Sequence, residues 1–150
     1  MESLYLEEPH VGRRFTSAEH SIDEGQIKAF AAAFDPQPFH LDDVAARKSI
    51  FGGLAASGWH TAAITMRLNV TGGLPIAGGI IGLGIELAWP KPVRPGDVLH
   101  VESEVVEVIP SRSHPGRGTV VVRSETRNGR GELVQTTTAK LLVPRREPAA

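Results

Sequence analysis

The sequence contains no cysteine. Disulfides, thiolate metal ligation and a cysteine nucleophile are therefore excluded. Nor does it carry a surplus of charge: 16 Lys and Arg stand against 17 Asp and Glu, for a net charge of −1. Nucleic acid and anionic lipid are thus not expected as partners. No apolar run is long enough to span a bilayer, so no membrane partner is expected either. The opening Met1-Glu2-Ser3-Leu4 lacks a basic region followed by an apolar stretch, and no secretory signal is read there. A cytoplasmic location follows by default. His10, His20, His100 and His114 are scattered without ligand spacing, so no metal site is expected. The glycines at 72, 73, 78, 79, 82 and 84 lack the Gly-Lys-Ser/Thr ending of a phosphate loop.

What is present reads as one globular domain over residues 1–150, with its core at about 10–145 and a frayed tail after Pro144. Hydrophobic residues make up 41% and charged residues 22%, ordinary values for a chain able to bury a core. Asp23 with Gln26 three residues on reads as a capping box. Behind it Ile27, Phe30, Ala31 and Phe34 recur at helical spacing, which predicts a helix over 23–34 that Pro36 stops. A shorter helix is expected after Asp42-Asp43. Ser57 is placed to cap a helix running to Asn69, apolar round most of its circumference and hence expected to be buried.

The period then changes to two. Ile81, Leu83, Ile85 and Leu87 alternate with small or polar residues and predict a strand with one apolar face. Val98–Ile109, Thr119–Thr126 and Glu132–Val143 predict three more, the last two joined by a turn at Asn128-Gly129. Arg14-Phe15-Thr16 can begin a short strand. Helices first and strands afterwards give an α+β layout: an antiparallel sheet with the 57–69 helix as the element to wrap.

The candidate chemistry starts in Phe34-Asp35-Pro36-Gln37-Pro38-Phe39-His40-Leu41-Asp42. A carboxylate and an imidazole five residues apart are a plausible acid/base pair, and the two prolines stiffen the linker between them. Asp35 sits at a helix C-terminus, where the dipole disfavours an anion by about 0.3–1 kcal/mol. His40 comes just before the second helix, whose positive end favours neutral imidazole. If Ser57 is the cap, the Gly58 N–H is an unpaired first-turn donor able to face a developing oxyanion. Such a set suits addition of water to the β-carbon of an unsaturated thioester. Other residues read as structural: His60 as packing on the central helix, Asp97 as a turn former, and Arg112, Arg117, Arg123 and Arg127 as solvated.

These residues resemble the Asp-x-Asn-Pro-x-His-x-Asp motif of MaoC-like dehydratases and (R)-specific enoyl-CoA hydratases. Phe51-Gly52-Gly53-Leu54-Ala55-Ala56-Ser57-Gly58 resembles the family's approach to its central helix, and Pro92-Val93-Arg94-Pro95-Gly96-Asp97 its characteristic turn. Arg127-Asn128-Gly129-Arg130-Gly131-Glu132 resembles its last hairpin. The resemblance implies a hot-dog fold and a homodimer or higher homo-oligomer. It implies a 2-enoyl or 3-hydroxyacyl coenzyme A thioester as substrate, with no separate cofactor. It also implies Asp35 and His40 as the catalytic pair, the Gly58 N–H as oxyanion donor, and Gln37, Ser57 and Gly53 in the substrate-binding wall. Gln37 replaces the usual Asn of the motif.

Two other readings stay open at this point. A hot-dog acyl-CoA thioesterase commonly carries Asp or Glu on the central helix, and 58–70 has neither. A non-catalytic acyl-CoA-binding or scaffold protein would not need Asp35 and His40.

Overall fold

The computed structural model describes residues 3–146. Two short strands, β1 (Arg14–Thr16) and β2 (His20–Ser21), lead into three helices: α1 (Glu24–Phe34), α2 (Pro38–Leu41) and α3 (Asp43–Arg47). The long helix α4 (Gly58–Leu68) follows and widens into a final turn over Asn69–Gly73. Four strands complete the chain: β3 (Ile81–Ala88), β4 (Val98–Pro110), β5 (Arg117–Arg127) and β6 (Leu133–Pro144). The pairings between these strands are antiparallel, in the order β1-β4-β5-β6-β3, with β2 on the same edge of β4 as β1.

Local signals explain the helix ends. The Asp23 carboxylate accepts from the Gln26 N–H at 2.8 Å. The return half of the expected box is missing, because the Gln26 side chain turns to the Ser21 carbonyl and to His20 instead. Ser57 caps α4 by accepting from the Trp59 N–H at 3.3 Å. Along β4, Val101, Ser103 and Val105 point inward, while Glu102 and Glu104 face out, as alternation requires.

The core lies between α4 and the sheet. One cluster joins Ile64 and Leu68 of α4 to Ile22, Ile27, Leu99, Val101 and Val134. A second, under the far end of the sheet, joins Leu4, Leu6, Leu74 and Ile76 to Val105, Val120, Val122 and Leu141.

Four expectations are corrected. The helix α4 is not buried all round: His60, Thr61, Ile64, Thr65 and Leu68 face in, but Trp59 and Met66 stay exposed. The strand β3 does not keep one apolar face. A bulge at Leu83 shifts its register, so Ile81 lies opposite Leu142 while Ile85 lies opposite Ala139. Opposed residues share a face, so Ile81 points outward and Ile85 inward. The β5–β6 turn is longer than Asn128-Gly129. It spans Asn128 to Glu132, with Gly131 at φ +79° and the Asn128 side chain accepting from the Arg130 and Glu132 N–H groups. Finally, the tail expected to fray lies partly outside the described residues, but Arg145 and Arg146 are held by the Gly116 carbonyl and the Glu7 carboxylate.

No helix among the described residues is long and apolar enough to cross a membrane.

Candidate active site

The helix α1 ends where Asp35 leaves helical geometry at φ −152° and ψ 66°, its N–H still bonded to the Ala31 carbonyl at 2.9 Å. Gln37 between the prolines is extended and takes the cap position of α2, which Pro38 opens. His40 stands three residues ahead of α3, but within the short helix α2, and neither helix supplies a partner for its ring nitrogens. The ring is fixed instead by tertiary contact: Nδ1 lies 2.6 Å from the Ala55 carbonyl oxygen. A carbonyl only accepts, so Nδ1 carries the proton. In the neutral ring Nε2 is then a lone pair, and it sits 3.3 Å from Asp35 Oδ2.

Asp35 is held as an anion. Burial pushes its carboxyl up, but hydrogen bonds from Ser57 and Gln37 pull harder, with a further pull whenever His40 carries a second proton, leaving its pKa below the usual value. The Gln37 amide reaches Oδ1 at 2.5 Å. The Asp35 side chain is 17% exposed and that of His40 only 6%, so the pair is shielded yet reachable. With the ring neutral, two acceptors, Oδ2 and Nε2, face each other across 3.3 Å. A molecule with two O–H donors, such as water, satisfies both.

These groups open on a cleft of about 650 Å³. Asp35, Gln37, His40 and Gly58 all line it, together with Trp59 and Trp89. No acceptor for the Gly58 N–H occurs among the described residues. Ser57 is fully buried behind the cleft, and its role reaches the site through Asp35. Gly53 does not line the cleft; its carbonyl accepts from Arg94 Nη1 at 2.8 Å. Among the described residues no group of three or more His, Asp or Glu side chains is placed to hold a metal ion.

Three residues escaped the sequence reading. Arg94, in the Pro-Val-Arg-Pro-Gly-Asp turn, grips the 51–54 segment through the carbonyls of Phe51, Gly53 and Leu54. Next along the chain is Ala55, whose carbonyl orients His40 and whose N–H is bound by the Phe39 carbonyl. Trp89 packs its indole on Gly58 and donates Nε1–H to Gln135 Oε1 at 2.9 Å. Gln135 is fully buried. Only the Arg of the turn motif was within reach of a sequence signal; the other two contacts join residues far apart in the chain.

An antiparallel sheet around one helix defines a hot-dog protein, with an Asp/His pair and a helix N-terminal donor lining one cleft. The chain belongs to the MaoC-like family: the family's model, described as "MaoC like domain", matches residues 7–128. Among solved structures it is similar to a MaoC-like dehydratase from Rhodospirillum rubrum, at 63% identity and a TM-score of 0.95, covering 97% of this chain and 99% of that one. It is also similar to the R-hydratase PhaJ1 of Pseudomonas aeruginosa, at 30% identity and a TM-score of 0.75, covering 99% and 93%. A 3-hydroxybutyryl-CoA dehydratase of Methylorubrum extorquens is 32% identical over 111 residues, 73% of this chain and 68% of that protein.

Proposed function

We propose that the protein adds water reversibly to a 2-enoyl-coenzyme A, giving the 3-hydroxyacyl-coenzyme A. The observation that carries this reading is the pair of facing acceptors, Asp35 Oδ2 and His40 Nε2, in the same cleft as the unpaired Gly58 N–H. The names of two relatives, an R-hydratase and a 3-hydroxybutyryl-CoA dehydratase, lend the reading support.

In the forward direction Asp35 and Nε2 hold one water by its two hydrogens. Nε2 takes a proton as the water oxygen bonds to the β-carbon. The double-bond electrons move toward the thioester oxygen, and the Gly58 N–H meets the charge that develops there. That charge is larger in the transition state than in the substrate, so the donor stabilises the transition state selectively. The proton then passes to the α-carbon, and His40 is neutral again. Ser57 and Gln37 keep Asp35 ionised so that it stays an acceptor. The reaction consumes water and no other co-reactant.

The thioesterase reading is disfavoured because α4 carries no carboxylate. A second copy of the chain fits the free edge of β3. That edge is unpaired among the described residues, Ile81, Leu83 and Ile85 on it are exposed, and Ile85 shares a cavity lining with exposed Met66. Edge-to-edge pairing in a homodimer would cover it.

The deciding assay follows crotonyl-coenzyme A by loss of enoyl absorbance and, in parallel, by appearance of free thiol. Hydration without thiol is expected; thiol without hydration would replace the hydratase reading with the thioesterase one.

A further inference from the structure

The large cleft is not the only cavity along α4. A second, of about 80 Å³, lies between the helix and the sheet. Its helix lining is Ala62, Thr65, Met66 and Asn69. Counted from Gly58, these are positions i+4, i+7, i+8 and i+11, one continuous stripe of an α-helix. Gly58 itself lines the large cleft. The two cavities therefore sit end to end on the same helix face, yet no residue lines both.

What stands between them is Trp89, just past the end of β3. A Cβ added at Gly58 would fall 2.5–2.8 Å from three atoms of the indole, so the ring lies directly against that glycine. The indole is tethered from behind. Its Nε1–H donates to Gln135 Oε1 at 2.9 Å, and the Gln135 amide donates to Thr65 Oγ1 at 2.9 Å. Thr65 Oγ1 meets Thr126 Oγ1 at 2.6 Å. Gln135 and Thr65 line the inner cavity, whereas Trp89 lines the outer one. The outer face of the indole is exposed, but its Nε1–H is anchored to a buried Gln135–Thr65–Thr126 chain, and a ring so held resists displacement.

We propose that Trp89, held by Gln135, is the specificity-determining residue that confines the substrate to short acyl chains. The inference rests on the hydratase reading, which puts the thioester oxygen at the Gly58 N–H. A tail of a few carbons fits the outer cleft beside the indole. A longer tail following the Gly58–Ala62–Thr65 stripe meets the ring before it reaches the inner cavity. Removing the indole joins the two cavities and frees that path.

The test measures two things on wild type, Trp89→Ala and Trp89→Leu. One is hydration of crotonyl-, octenoyl- and decenoyl-coenzyme A. The other is calorimetric affinity for butyryl- and decanoyl-coenzyme A, which needs no turnover. Wild type is expected to favour the four-carbon thioesters by about tenfold or more, a difference within what pocket shape discriminates. Both variants are expected to move the ratio by about tenfold toward the ten-carbon ligand. Two independent truncations guard against one misfolding, and thermal melts report which folds. An unchanged ratio in a folded variant, or a wild type that prefers decanoyl, overturns the partition. Wild type that shows the chain-length swing in affinity but hydrates nothing overturns the hydratase reading and leaves the partition standing.

Discussion

The His40 ring and the Ala55 main chain are joined by a 2.6 Å hydrogen bond, and that bond decides which nitrogen faces Asp35. With Nδ1 donating to a carbonyl, Nε2 is the basic atom. Replacing His40 by Ala removes the base, and replacing Asp35 by Asn turns one of the two facing acceptors into a donor. Each is expected to lower hydration of crotonyl-coenzyme A by about 10²–10⁴-fold. The melting temperature should change little in comparison, since neither side chain belongs to the hydrophobic clusters. Near-normal turnover in either variant means the pair is misassigned.

Arg94 acts on the same bond at one remove. Its guanidinium holds the carbonyls of Phe51, Gly53 and Leu54, and the next residue supplies the carbonyl that orients His40. A lysine cannot reproduce the planar fork. Arg94→Lys is expected to cost about 1–3 kcal/mol of stability through lost charge-assisted bonds. It should also lower kcat about tenfold or more with KM little changed, since a small misplacement of a catalytic group costs rate. The check is steady-state kinetics beside a urea titration. If kcat is unchanged while stability drops, Arg94 is structural only.

These two residues also mark how far the sequence could be read. Asp35 and Ser57 announce themselves locally, because a helix must stop before Pro36 and a helix start needs a cap. The closeness of Asp35 to His40 and the Ser57 cap before Gly58 were therefore legible. Their fine geometry was not. Nothing near His40 in sequence specifies the Ala55 carbonyl, and nothing near Trp89 specifies Gln135, 46 residues away. The bulge at Leu83 was also hidden, since an inserted residue leaves the written alternation of Ile81 to Leu87 intact. Exposed Trp59 and Met66 on a helix that reads as buried show the same limit. Periodicity tells that a face is apolar, not what covers it.

The exposed β3 edge gives a test of assembly. Ile85 faces the inner side of the sheet beside the smaller cavity, yet it is 64% exposed in the single chain, so a long charged side chain there can still reach solvent. A charge buried in an interface without a partner is strongly unfavourable. Ile85→Lys is therefore expected to shift size-exclusion elution and light scattering from dimer to protomer mass while circular dichroism stays the same. A variant that remains a dimer would move the interface away from β3.

His60 predicts a pH dependence of stability. Its ring stacks on Phe30 at 4.5 Å, and Nδ1 is buried with no hydrogen-bond partner. Burial pushes its pKa down from 6.5, and the charge of nearby His20 pushes the same way. The unfolded chain thus takes up the proton first as pH falls. This contribution to stability is complete above about pH 6.5 and declines below it, toward the folded pKa. His60→Phe keeps a ring against Phe30 but cannot titrate. Its urea midpoint should fall less than that of the wild type between pH 7.5 and pH 5.5. Equal losses in the two proteins would assign the acid sensitivity to other groups.

Gly58 and Trp89 are coupled, and the coupling can be measured. A methyl group at position 58 would overlap the indole at 2.5–2.8 Å, so Gly58→Ala must displace either the ring or the start of α4. The N–H proposed to meet the thioester oxygen survives this substitution, because alanine keeps its backbone donor. Loss of activity in Gly58→Ala would then come from the clash and not from a missing donor. The double variant Gly58→Ala/Trp89→Ala removes the obstacle and should recover most of the turnover lost in Gly58→Ala, measured against Trp89→Ala alone. Residues in contact commonly show interaction energies of about 0.5–3 kcal/mol, and relief of a clash gives the cycle a compensating sign. Additive losses in the cycle would mean that the indole yields without cost, and the ring could not then be the rigid wall that separates the two cavities.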